Sequence, residues 1–179
     1  MDSLGDNSQP WFALRVRSNY EKIVALSLKG KGYAQFLPLY RERSRRRGPV
    51  KQIELPLFPG YVFSAFDVNH RLPILMIPGV VGVVGIGHKP AVIDREELLA
   101  IKRFVASGIA VEPWPFLKTG DFVLVDRGPL SGLEGIFVQI KKAHRLVVSL
   151  SLLQRSVAVA IKQDCVRRTG TLQAATARA

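Results

Sequence analysis

Cysteine is almost absent. Cys165 stands alone in 179 residues, so no intramolecular disulfide can form. A single thiol agrees with a reducing compartment, and its flank, IKQDCV, reads as a strand end carrying a structural thiol. Long apolar runs are also missing: none reaches the about 18 residues that a membrane-spanning helix needs. The opening MDSLGDNSQP has neither a basic stretch nor an apolar core, so it is not a secretory signal. The cytoplasm is the expected address, with no membrane partner. Histidine is scarce, and His70, His88 and His144 are too far apart for a metal-ligand spacing. Gly82, Gly85 and Gly87 are followed by no Gly-Lys-Ser/Thr, so they make no phosphate loop. Asp121 and Asp126 sit near turns, which suits turn residues better than an acid/base pair. No catalytic residue, metal or cofactor is expected, and no enzyme.

Acid is in short supply as well. Fourteen Asp and Glu face twenty-six Lys and Arg, for a net charge of +12 and a pI near 10.4. Such a balance favours a polyanionic partner, nucleic acid first. The excess runs through both halves, +7 over residues 1–106 (16 basic, 9 acidic) and +5 over residues 107–179 (10 basic, 5 acidic). It is densest in RERSRRRGPVKQ, where Arg41, Arg43, Arg45, Arg46, Arg47 and Lys51 face one acid, Glu42. Gly48-Pro49 calls for a turn there, so the segment reads as a long β-hairpin or loop.

Two kinds of pattern follow each other along the chain. Residues 1–10 read as a disordered tail. WFALRVRS is a strand, and Ser18 with Glu21 has the spacing of a capping box that starts a helix running to about Lys29, stopped by Gly30 and Gly32. YAQFLPLY is a second strand, IELPLFPGYVFSAF a third, with a short helix near Leu72 to Met76 and a strand pair or strand plus loop after it. Asp94 to Phe104 is the clearest helix, opened by a second capping box, Asp94 and Glu97. Residues 107–118 lack periodicity and read as a linker. Then DFVLVDR, EGIFVQIK, RLVVSLSL and RSVAVAIK alternate at the spacing of a small all-β barrel. Residues 169–179 read as a loose tail.

LFPGYVF is the oddest stretch. Read with period two, Leu57, Pro59, Tyr61 and Phe63 point one way and Phe58, Gly60 and Val62 the other. Both faces are apolar, so both need cover, one of them from another element or a partner molecule.

Gly120 to about Ile140, with Gly128, Gly132 and Gly135 supplying positive φ or close approach, resembles the KOW motif. With it, the order WFALRVRSNYEK, basic loop, LFPGYVF, IPGVVGVVG and capped helix resembles the NusG amino-terminal (NGN) domain. The chain is thus similar to NusG-like transcription elongation and antitermination factors over about residues 10–168. The resemblance implies an α+β amino-terminal domain (11–106) with a mainly antiparallel sheet flanked by helices. A linker (107–118) joins it to a small, five-stranded SH3-like KOW barrel (119–168).

Carried over by position, Pro59, Tyr61 and Phe63 would dock on the clamp helices of the RNA polymerase largest subunit, with Phe58 and Val62 toward the protein's own core. His70 and Arg71 match the element that touches the polymerase gate loop in specialised relatives, though Arg71 and Leu72 replace the hydroxyl residues of that motif. The arginine hairpin, helped by Arg15 and Arg17, would meet upstream or non-template DNA. In the barrel, Leu152, Leu153, Gln154 and Arg155 lie where relatives contact Rho or the ribosomal protein NusE. Leu153-Gln154 replaces an aromatic-glycine pair there, which argues against Rho and for a specialised paralogue of the RfaH, UpxY or LoaP kind, acting as a monomer. The rivals are a housekeeping factor that binds Rho and a ribosome-associated KOW protein that binds rRNA.

Overall fold

The computed structural model describes residues 9–44, 51–117, 120–140 and 143–172. The expected tail over residues 1–10 falls almost wholly outside them. Two compact units form, Met1–Leu37 with Phe58–Arg95, and Pro38–Leu57 with Glu96–Ala179.

In the first unit, β1 (Trp11–Val16), α1 (Glu21–Gly30) and β2 (Ala34–Phe36) come first. The second unit then interposes a hairpin of β3 (Leu39–Ser44) and β4 (Lys51–Pro56). The first resumes with β5 (Tyr61–Ala65), α2 (Leu72–Leu75), β6 (Val80–Val83) and a tiny hairpin of β7 (Gly85–Ile86) and β8 (Lys89–Pro90). Its sheet is antiparallel, in the order β2-β5-β1-β6. Phe12, Leu14 and Val16 from β1, Val62 from β5, Val24 and Leu28 from α1 and Ile74 from α2 share one core. The alternation in WFALRV therefore does what period two dictates: the even-numbered positions go to the core under α1.

The expected capping box at Ser18 is not how α1 begins. Asn19 turns the chain in the left-handed region (φ 66), Tyr20 takes the cap position without a side-chain bond, and Glu21 is spent elsewhere. The end is as expected, with Gly32 at φ 81 just beyond Gly30. The single strand expected in YAQFLPLY is divided between β2 and β3, because Pro38 has no N–H for a continuous ladder.

In the second unit, α3 (Arg95–Ala106) buries Leu98, Ile101 and Phe104. A six-stranded antiparallel sheet follows, built from β9 (Val111–Trp114), β10 (Gly120–Val125), β11 (Glu134–Ile140), β12 (Ala143–Leu150), β13 (Arg155–Ala160) and β14 (Val166–Leu172) in the order β14-β10-β11-β12-β13-β9. Five strands were expected. The sixth comes from the segment read as a linker, where Val111–Trp114 pairs with β13. Pro113 hides that strand from a sequence reading, yet an edge strand tolerates proline. The segment read as a loose tail begins inside β14, whose Thr171 and Leu172 pair with Asp121 and Gly120. Gly128 (φ 92) and Gly132 (φ 80) take the left-handed turns expected of them. Gly135 serves close approach instead: a Cβ there would sit 2.8 Å from the Val147 carbonyl oxygen.

Candidate functional site

The first unit presents a second sheet face, opposite α1. Strand register puts Ala13 beside Phe63, Arg15 beside Tyr61, and Phe36 beside Phe63. Phe63 stacks on Phe36 with centroids 6.1 Å apart and takes Phe58 edge-on at 5.6 Å. Phe58 thus joins the Phe63 cluster rather than the Val62 side expected for it. The reason is local. Period two fails at Pro59-Gly60, because Gly60 has φ 83 and the Tyr61 N–H bonds back to the Phe58 carbonyl, making a turn before β5 begins. Pro59 is exposed and Tyr61 half-buried. Phe63, expected to be open to a partner, is 0% exposed, and its neighbours Ala13 and Ala65 are equally covered.

A buried acid holds the turn. Glu21 is 5% exposed, and its Oε1 accepts the Gly60 N–H at 2.9 Å. On the other side of the same residue, the Gly60 carbonyl accepts the Val16 N–H at 2.8 Å. The backbone between Pro59 and Tyr61 is therefore gripped from α1 and β1 at once. No local sequence signal announces a bond across 39 positions.

His70 and Arg71 lie in the exposed segment before α2. Asp67 caps the 3₁₀ turn Val68–His70 by accepting the Asn69 N–H, and its other oxygen meets His70 Nδ1 at 2.8 Å. The Asn69 amide first, and then His70, hold the Asp67 carboxyl below the usual aspartate range. The folded turn therefore favours the carboxylate. Its contribution is complete above the unfolded pKa and is lost as pH falls through the lower folded value. On acidification, the Asn69 amide resonance should move only below the ordinary aspartate range. Asp67→Asn, which keeps an acceptor but cannot titrate, should abolish that movement.

Among the described residues, the basic side chains expected to meet nucleic acid fall in both units. Arg15 and Arg17 are exposed, Arg15 directly across from Tyr61. In the second unit, Arg41 and Arg43 are exposed on β3. Opposite them on β4 stand Glu54 and Gln52. Arg41 Nε lies 3.5 Å from Glu54 Oε1. The Lys51 backbone stands opposite Ser44 in the strand register. Arg45, Arg46 and Arg47 lie outside the described residues. On the alternate face of the hairpin, burial and then the Glu42 carboxylate push the Tyr40 phenol up.

In the six-stranded sheet, a loop runs from β12 to β13. Leu152 and Leu153 are half-buried in a short 3₁₀ turn, while Gln154 and Arg155 are exposed. Gln154 adopts φ 51, ψ 45, and its side-chain amide donates to the Ser151 carbonyl at 2.8 Å. A non-glycine residue there spends a side-chain bond on a conformation glycine takes freely. That is the physical content of the departure from an aromatic-glycine pair. The Ser151 N–H is held by Glu97 of α3 at 3.0 Å.

Sequence reasoning gave Phe36 no place on this sheet face and gave Glu21 a different partner from Gly60. Among the described residues no helix is long and apolar enough to cross a membrane.

Residues 9–102 match the family model described as "Transcription termination factor nusG". The chain is 28% identical over 172 residues to the transcription termination/antitermination protein NusG of Pseudomonas aeruginosa, covering 88% of this chain and 97% of that one. It is 29% identical over 148 residues to the protein of that name from Streptococcus pyogenes, covering 73% and 80%. A solved structure described as "Domain interaction in Thermotoga maritima NusG" aligns over 91% of this chain and 98% of that one. Its TM-score is 0.56 at 20% identity, a likeness of fold. The family match takes in more than half of the chain, and with it the chain belongs to the NusG family of transcription termination/antitermination factors.

Proposed function

We propose that the protein is a specialised, cytoplasmic antitermination factor that acts as a monomer. Residues 11–106 dock on the clamp helices of the RNA polymerase largest subunit and on upstream or non-template DNA, and residues 119–168 recruit a second partner. One observation carries the reading: an aromatic sheet face away from the α1 core, with Pro59 exposed and Tyr61 half-buried at its rim. Pro59 and Tyr61 make the first contact. Phe63 joins once the face is uncovered. His70 and Arg71 add a polar contact to the polymerase, and Arg15 and Arg17 lie where phosphates are met.

Energetics require that sharing of labour. Burying one large apolar side chain is worth roughly 1.5–3 kcal/mol, whereas association costs an estimated 4–15 kcal/mol. The rim alone is therefore marginal. Uncovering Phe63 adds contact area at the expense of its resting cover, so a polymerase state that offers a matching apolar groove selects the uncovered form. Preference for the elongating over the paused enzyme would suppress pausing.

In the barrel, Leu152 and Leu153 offer apolar contacts to NusE, flanked by Gln154 and Arg155. The exposed loop lacks the aromatic that a Rho contact would use.

Tyr61→Ala should weaken capture of RNA polymerase by about tenfold or more, the equivalent of one aromatic contact, and leave duplex DNA binding unchanged. Undiminished capture would refute the docking surface. Strong co-sedimentation of the unaltered protein with Rho would instead favour a housekeeping factor.

A further inference from the structure

The β3–β4 hairpin carries two unlike faces. Register places Arg41, Arg43, Gln52 and Glu54 on one of them and Tyr40, Glu42, Ile53 and Leu55 on the other. All four side chains of the first face are exposed. A surface that only neutralises phosphates gains from Lys and Arg, and an acid such as Glu54 on it weakens the attraction. Arginine, glutamine and glutamate are, however, the residue types that read base edges: Arg pairs with guanine O6 and N7, Gln with adenine N6 and N7, and Glu accepts from cytosine N4.

Dimensions agree with that chemistry. Two strands about 4.8 Å apart form a ribbon that enters a major groove about 12 Å wide. Directly opposite residues such as Arg43 and Gln52 have Cβ atoms about 5 Å apart, close enough to address neighbouring base pairs. Arg41 meets Glu54 through Nε, so its terminal nitrogens keep their donors for a base, while Arg43 has no ion-pair partner among the described residues.

We infer that this face is a sequence-reading β-ribbon for the major groove of B-form duplex DNA, with Arg43 and Gln52 as its principal readers. The inference rests on the reading that the hairpin meets DNA, and it adds base specificity to a contact otherwise made with phosphates. The surrounding positive charge of the hairpin supplies the sequence-independent attraction, and the four-residue face supplies the choice among sequences.

The experiment is selection of the full-length protein against a randomised DNA duplex library. Anisotropy measurements then follow on the selected duplex, a scrambled duplex and an A-form RNA duplex of the selected sequence. Selection should enrich a short motif containing guanine next to adenine. Arg43→Lys keeps the charge but loses the planar fork. It should reduce the selected-over-scrambled preference by about 5- to 150-fold, with the larger loss on the selected duplex and the smaller on the scrambled one, where the retained charge still meets phosphate. Gln52→Ala should relax the adenine position alone. The RNA duplex should show no preference, because its major groove is closed to side chains. Binding without any enriched motif, or a motif untouched by both substitutions, overturns the ribbon while leaving the phosphate contact intact. Failure to bind duplex DNA at all overturns both.

Discussion

Replacing Phe63 with alanine is expected to cost about 3–5 kcal/mol of stability, the usual loss when a buried phenylalanine is cut back. Phe63 is fully buried, stacks on Phe36 and receives the edge of Phe58. The void would border Ala13 and Phe36 across the two adjoining strands, neither of which can swing to fill it without leaving the ladder. Phe63→Leu keeps most of the volume and should lose less, about 1–1.5 kcal/mol. Urea denaturation followed by circular dichroism reads both. A loss below about 1 kcal/mol for the alanine variant would show that this face stands open in solution, because an exposed phenylalanine costs little to remove.

Glu21→Ala should produce the second large effect. A buried carboxylate that accepts a backbone N–H contributes about 1.5–3 kcal/mol, and its removal leaves the Gly60 amide without a partner. The damage reaches function through geometry. Gly60 sits between exposed Pro59 and half-buried Tyr61, and its φ of 83 is kept by bonds at both its N–H and its C=O. With one bond gone, the turn samples other conformations and the rim loses its preset shape, which costs affinity in proportion to the disorder introduced. Polymerase capture should fall by more than the stability loss explains at temperatures where the variant remains fully folded. Glu21→Gln retains an acceptor oxygen and should restore most of the capture. If the alanine variant, still folded, captures polymerase as well as the unaltered protein does, Glu21 is structural only and the turn needs no presetting.

Local chemistry was legible in the sequence wherever local chemistry decided the outcome. The glycines of the KOW stretch have the turns and the close approach that their spacing requires, and the helix at Arg95–Ala106 follows from its apolar period. Tyr61 and Phe63 fall on one sheet face with Val62 on the other, as alternation demands. What escaped was decided at a distance. Ser18 and Glu21 have the spacing of a capping box, but a bond to Gly60 claims the carboxylate, and the backbone of Asn19 turns the chain instead. Phe58 obeyed period two on paper until Pro59-Gly60 broke the strand. Val111–Trp114 resembled a linker because an edge strand with proline needs no alternation, and β14 continued into a segment whose small polar residues gave no strand signal. Phe63 is covered where an exposed ring was expected, for the same reason: apolar sequence shows that a face needs cover, and only the fold shows whether the chain itself supplies it.

The most direct test of the docking surface is photocrosslinking from its rim. With p-benzoylphenylalanine placed at Tyr61 and the protein added to a stalled elongation complex, crosslinks should map to the clamp helices of the largest polymerase subunit. They should disappear when Pro59→Ala and Phe63→Ala are introduced together into protein shown to be folded. Crosslinks that map to another polymerase subunit, or none above the level seen with a probe at exposed Leu26, would contradict the account.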